Sequence, residues 1–349
     1  MEDNKSLPTD TLTSGPTSTT FVISHGILFC CLAAFTVAAM CLLGWMLEID
    51  ALKRTVPGSV YMNPATASLI LLISIAIYLS SKFEGRYTTV LKVSGALALF
   101  VGIAKLSNGI FGLDLGIDRL VFSGQLFDKI LQQPSQMSQL SAMIIAMFGT
   151  ALILHRSEKP DRWHLRSVVQ ILAVVVHLTA MLGLISFLYG VRTFHLVFTI
   201  DPMALHSSIC FAVLSIGLLL SQPDKGVMGE ILSRDVGGEM TRRIMLPVLL
   251  TPPSLGFLLL AGFKLQMFSP EIGIALFVIV TVVILMVVIL TNAYAMNQQA
   301  RTRRVAEVAL EVAMRREALI VEHALDVICT LDENGRFLTV NPACRRLLG

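Results

Sequence analysis

Lys105, His177 and His206 each interrupt a long apolar run, where an ionisable group is costly and by default marks a site. Gln136, Ser138, Gln139, Ser141, Tyr189, Arg192, His195 and Asp201 fall near one level of the same runs, and together they suggest a polar pocket. Its candidate ligand-sensing residues are Lys105, His177, His206, Asp201 and Tyr189. The plainer reading has these side chains capping helix ends and hydrogen-bonding across a bundle. His177 and His206 also suit the two axial positions of a haem, but one helix pair without an attachment motif is weak support for that cofactor. Lys92, one turn from a helix end, can extend its amine to water instead.

Other reactive groups form no constellation. Cys30, Cys31, Cys41 and Cys210 lie in apolar runs as small hydrophobes, and with Cys329 and Cys344 they show no C-x-x-C spacing. No metal ligand set and no cofactor motif is legible. P-loop, glycine-rich ATP-lid and cyclase signatures are missing too. His323 stands in V-E-H-A-L, without the context of a phosphoacceptor histidine. Catalysis by this chain alone is not expected, and no nucleic-acid partner is indicated.

The elements that must position these residues are membrane helices. Hydrophobic residues make up 54% of the 349-residue chain and charged residues 15%, with a mean hydropathy of +0.74. Soluble domains average about 25% charged residues. Residues 1–20 read as a Ser/Thr-rich tail, and the lack of a basic n-region argues that the first apolar run is retained. Eight spans are expected: Phe21–Leu47, Ala65–Ser81, Thr88–Phe111, Met137–His155, Ser167–Tyr189, Met203–Ser221, Ile244–Phe263 and Ile272–Met296. Even-numbered connections carry ten basic residues, among them Lys82, Arg166 and Arg243, whereas the odd ones carry six over more residues. The positive-inside rule then makes both termini cytoplasmic.

The seventh span contains Pro247 and the pair Pro252-Pro253, which remove helix hydrogen bonds and suggest a hinge. After Met296 the composition turns polar, with no proline or glycine before Gly335. One helix is therefore expected from the eighth span through residues 297–324. Val305, Val308, Val312 and Leu319 form one apolar seam along it. Ala306, Leu310, Ala313, Ile320 and Ala324 form a competing one, so the helix suits a parallel homodimer with two near-equivalent registers.

From residue 325 the period changes to two. Val327–Leu331 reads as a strand, Asp332-Glu-Asn-Gly335 as a turn, Phe337–Val340 as the returning strand, and Asn341-Pro342-Ala343 opens a short helix. A lone hairpin is marginal in water, so the sequence reads as the front part of a longer protein.

The run A-L-D-V-I-C-T-L-D-E-N-G-R-F-L-T-V-N-P-A-C-R-R-L-L-G resembles the start of a PAS domain: strand, D-x-x-G-R turn, strand, N-P-A helix start. A membrane module feeding a helix and then PAS resembles the front of a bacterial sensor histidine kinase. That resemblance implies a homodimer in the cytoplasmic membrane and a response regulator as partner of the full-length protein. The expected fold is thus an all-α membrane protein of about eight transmembrane helices with a long cytoplasmic linker helix and the first β-hairpin of an α/β PAS domain. Its divisions are a tail at 1–20, a membrane sensor module at 21–296, a signalling helix at 297–324 and an incomplete PAS domain at 325–349. A diguanylate cyclase or chemoreceptor-type output is the alternative. A transporter with a regulatory tail is disfavoured because no span carries an acidic group or a broken-helix pair.

Overall fold

The computed structural model describes residues 18–54, 59–83, 87–113, 115–122, 127–128, 133–155, 163–190, 194–195, 199–200, 203–223, 226–233 and 235–348. They fall into two units, each compact in itself. The first runs to Thr241 and takes in Pro252–Phe277; the second comprises Arg242–Thr251 and Val278–Gly349.

The first unit is a helical bundle of α1 (Ser18–Met46), α2 (Asp50–Lys53), α3 (Pro64–Lys82), α4 (Thr88–Phe111), α5 (Gln139–Leu154), α6 (Trp163–Tyr189), α7 (Leu205–Leu220) and α8 (Gly226–Leu232). Two-residue antiparallel ladders, β1 (Phe127–Asp128) with β2 (Gln133–Pro134) and β3 (Phe194–His195) with β4 (Thr199–Ile200), punctuate the long connections. Helices α9 (Val236–Lys264) and α10 (Pro270–His323) contribute residues to both units.

Each of the eight expected spans is helical. Six of these helices are long and apolar enough to cross a membrane, so the protein is membrane-embedded. The remaining two, α5 and α7, have 16 residues each. At about 1.5 Å per residue they reach roughly 24 Å, short of a hydrocarbon core of about 30 Å. They differ from the expected Met137–His155 and Met203–Ser221 because their first residues are extended caps. Their burial explains why short helices suffice: Phe148 of α5 and Phe211 of α7 meet in the core with ring centroids 6.1 Å apart.

Helices α3, α5 and α7 begin alike. A buried methionine (Met62, Met137, Met203) precedes an extended cap residue at φ/ψ of −63/137, −66/151 and −61/142° for Asn63, Ser138 and Ala204. Four residues after each methionine comes a buried hydroxyl (Thr66, Ser141, Ser207), and next a buried small residue (Ala67, Ala142, Ser208). The pattern M-x-x-x-[ST]-[AS] is therefore a threefold internal repeat. All three methionines belong to one hydrophobic core with Trp45, Ile70, Ile73, Ile145, Phe148, Phe211 and Leu214.

Small residues set the spacing elsewhere in the bundle. Gly95 and Gly102 of α4 and Gly149 of α5 lie where the two helices cross. A Cβ on Gly149 would stand 2.6 Å from the Gly95 carbonyl, and one on Gly102 2.7 Å from the Ala142 carbonyl. In lipid, close backbone approach of this kind supplies the van der Waals packing that holds helices together.

Helix α10 runs unbroken for 54 residues, about 80 Å, and belongs to the second unit from Val278 onward. Its end meets a hairpin of β5 (Cys329–Leu331) and β6 (Phe337–Val340), followed by α11 (Ala343–Leu348). In the turn Asp332 Oδ1 accepts from the amides of Asn334 and Arg336 at 2.9 and 2.8 Å, and Gly335 takes a left-handed φ of 77°.

The α4–α5 crossing yields a stability prediction. Gly149→Ala should cost about 1–3 kcal/mol through overpacking and lower the thermal midpoint of the purified protein. Gly237→Ala, which meets open space, should leave the midpoint within about 2 °C of the parent.

Candidate functional site

At the end of the bundle where α3 and α5 begin, polar groups form several neighbouring hydrogen-bonded pairs. Lys105, on α4 and only 8% exposed, donates from Nζ to Gln136 Oε1 at 3.4 Å. The neighbouring Ser135 carbonyl accepts from Asn63 Nδ2 at 3.0 Å, while Asn63 Oδ1 caps α3 through the Ala65 amide at 2.9 Å. Ser138 caps α5 by accepting from the Ser141 amide at 3.2 Å, and its hydroxyl donates to Ser141 Oγ at 2.9 Å. Of the pocket residues expected from sequence, Lys105 thus pairs with Gln136, and Ser138 with Ser141.

The same end holds two cations outside the pocket expected from sequence. Lys53 and Arg54 are 7% and 5% exposed. The Arg54 guanidinium lies 3.8 Å from the centroid of Tyr61, and Lys53 Nζ lies 4.8 Å from that of Trp45 and 3.6 Å from Asp50. Such cation–π contacts lower the cost of burying a charge. Trp45 Nε1 donates to the Met62 carbonyl at 2.9 Å, tying this aromatic box to the first helix start. The usable signal was the pairing of Lys53-Arg54 with flanking Trp45 and Tyr61.

The other expected sensing residues stand elsewhere. His177 Nδ1, on α6, pairs with Ser215 Oγ at 2.9 Å and lies 3.3 Å from the Ala212 carbonyl of α7. His206 is half-buried in the first turn of α7, nine residues or about 13 Å along that helix from Ser215. Asp201 and Arg192 fall outside the described residues, and of His195 only its place in β3 is described.

Tyr189 joins a sensing candidate to the hinge candidate. Its hydroxyl, at the end of α6, donates to the Pro253 carbonyl of α9 at 2.9 Å. Gly256 supplies the notch, since a Cβ there would overlap the phenol oxygen and lie 3.1 Å from Cζ. Pro247, Pro252 and Pro253 all lie within the continuous helix α9, and one of the three places where the chain passes between the two units falls at Thr251/Pro252.

The other end of α6 is fixed as well. Gln170 Nε2 donates to the Gln222 carbonyl at 3.0 Å, and Gln170 Oε1 accepts from the Met228 amide at 3.4 Å. Gln222 Nε2 lies 3.1 Å from both the Nδ1 and the carbonyl oxygen of His155. Gly226, at φ 62°, leaves room for the Gln170 amide. Nothing in the local pattern around Gln170 or Gln222 announced this clamp.

Among the described residues no three His, Cys, Asp or Glu side chains are grouped to hold a metal. No family model matches this chain, and no curated protein or solved structure is found similar to it.

A double-mutant cycle tests the Tyr189 contact. Tyr189→Phe should destabilise the bundle by about 0.5–1.5 kcal/mol, the net worth of one hydrogen bond. Gly256→Ala alone should cost more, because the phenol is displaced; in a Tyr189→Ala background the same change should be close to neutral in thermal denaturation. Additive effects would mean that the phenol and the glycine do not meet.

Proposed function

We propose that this chain is the membrane sensor and signal-transmission region of a two-component sensor histidine kinase. It works as a homodimer in a bacterial cytoplasmic membrane, with both termini in the cytoplasm. The observation that carries the reading is the unbroken helix α10, which leads from an apolar span into the hairpin that resembles the start of a PAS domain. A stimulus acts at the polar end of the bundle, around Lys105, or through His177 and His206 on the α6–α7 face.

Two features support relay to α10. Tyr189 ties α6 to α9 one residue past the Pro252 boundary, so repacking of α6 acts directly on the helix preceding the output rod. Along the rod, Val305, Val308, Val312 and Leu319 are 49–70% exposed, and Leu310 and Ile320 of the competing seam are 61% and 63% exposed. Apolar rows of this kind on a water-side helix are covered when two copies pair. Exchange between the two seams is then a bistable switch. At its far end the rod is pinned: Asn341, buried, donates from Nδ2 to the carbonyls of Val321 and Asp326, both at 3.0 Å, and accepts from the Ile328 amide at 3.0 Å.

Phase-changing deletions in α10 of the full-length protein test this function. Removing the seven residues 305–311 should keep stimulus-dependent autophosphorylation, because the helix phase changes by only about 20°. Removing only Val305-Ala306 turns everything downstream by roughly 200° and should leave the output locked. Equal behaviour of the two deletions would sink the rod, and a protein forming no phosphohistidine with ATP would not be a kinase.

A further inference from the structure

The most cationic stretch of α10 lies just past its apolar span. Met296 ends that span, and Arg301, Arg303 and Arg304 follow five to eight residues later. At about 1.5 Å per residue they stand roughly 8–12 Å beyond the hydrocarbon edge. The polar headgroup layer is about 5–8 Å deep on each side, and an arginine side chain readily spans the difference. No acidic residue occurs between Glu271 and Glu307. All three arginines are exposed and, among the described residues, none is ion-paired.

Their placement around the helix adds to this. At about 100° per residue, Arg303, Arg304 and Arg301 share an arc of roughly 160°. The seam of Ala306, Leu310, Ala313, Ile320 and Ala324 is centred roughly 145° from the middle of that arc, on the far side of the helix. The seam of Val305, Val308, Val312 and Leu319 lies only about 90° away, with Arg301 in line with it. A guanidinium offers two parallel N–H donors to a phosphate, and near a negative leaflet each basic residue adds measurably to binding.

We propose that Arg301, Arg303 and Arg304 form a collar that binds the headgroups of anionic phospholipids where α10 leaves the bilayer. In the dimeric rod proposed above, on which this consequence rests, lipid-bound arginines must point away from the partner. The collar therefore favours the register that uses Ala306, Leu310 and Ala313 over the one that uses Val305, Val308 and Val312. The anionic lipid content of the leaflet becomes an input to the switch.

The test places the full chain in nanodiscs of phosphatidylcholine with or without phosphatidylglycerol. Spin-labelled lipids of both kinds report selectivity at the protein surface. Selectivity for phosphatidylglycerol should be about fivefold, fall toward unity in the triple Arg→Gln variant and with rising salt, and persist in the triple Arg→Lys variant. No selectivity in the parent, or selectivity unchanged by the glutamines, would overturn the collar. Leu310→Cys and Val308→Cys then report register by disulfide formation between copies. Cross-linking at 310 should dominate with phosphatidylglycerol and lose that lead in the triple Arg→Gln variant. A lead for 308 in phosphatidylglycerol would overturn the register choice. Cross-linking at neither site, with lipid selectivity intact, would reject the dimeric rod while leaving the collar in place.

Discussion

The bundle depends on how three helices start. A membrane helix gains little from burying apolar surface against its neighbours, because lipid is equally apolar; close packing and satisfied polar groups must hold it instead. Helices α3, α5 and α7 meet that demand with one device used three times. An extended cap follows a methionine sunk in the core, then come a buried hydroxyl and a buried small side chain. The 16-residue α5 and α7 are tolerable only because longer helices such as α1, α4 and α6 pack against them. Buried glycines at the α4–α5 crossing extend the same principle along the bundle.

Helix α6 is the brace within this arrangement. One end is held by Gln170 to the carbonyl of Gln222 and the amide of Met228, the other by Tyr189 to the carbonyl of Pro253. Midway, His177 is hydrogen-bonded to Ser215 of α7. The mid-helix pair of His177 and Ser215 supplies polar partners that lipid could not, so losing it exposes a polar group to an apolar medium. These contacts join α6 to segments distant in the chain.

Helix α10 obeys different rules along its length. Its first half is apolar all round, whereas its second half mixes charge with two apolar rows and stays helical without proline or glycine. Propensity and i,i+4 pairs such as Glu311 with Arg315 suffice to continue the helix. Its end is fixed by geometry: the single side chain of Asn341 bonds to the helix at Val321, to the following bend at Asp326, and to Ile328 just before strand β5.

What was legible in the sequence is what repeats locally. Apolar runs announced the apolar helices, the absence of proline and glycine announced the continuity of α10, and Asp332-Glu-Asn-Gly335 announced the β5–β6 turn. These depend on neighbours within a few residues, so composition and period are enough. The tertiary structure decided the rest. Lys53 and Arg54 are buried because Trp45 and Tyr61 offer aromatic faces, and Tyr189 reaches Pro253 because Gly256 leaves a notch 67 residues downstream. The threefold repeat is faint in sequence, since its copies at Met62, Met137 and Met203 are unevenly spaced and share only three residue types, while burial and the extended caps make them alike. Burial of a polar side chain depends on what the fold sets against it: for Lys53 and Arg54 that is a pair of flanking aromatics turned inward, and for Tyr189 a helix more than sixty residues away.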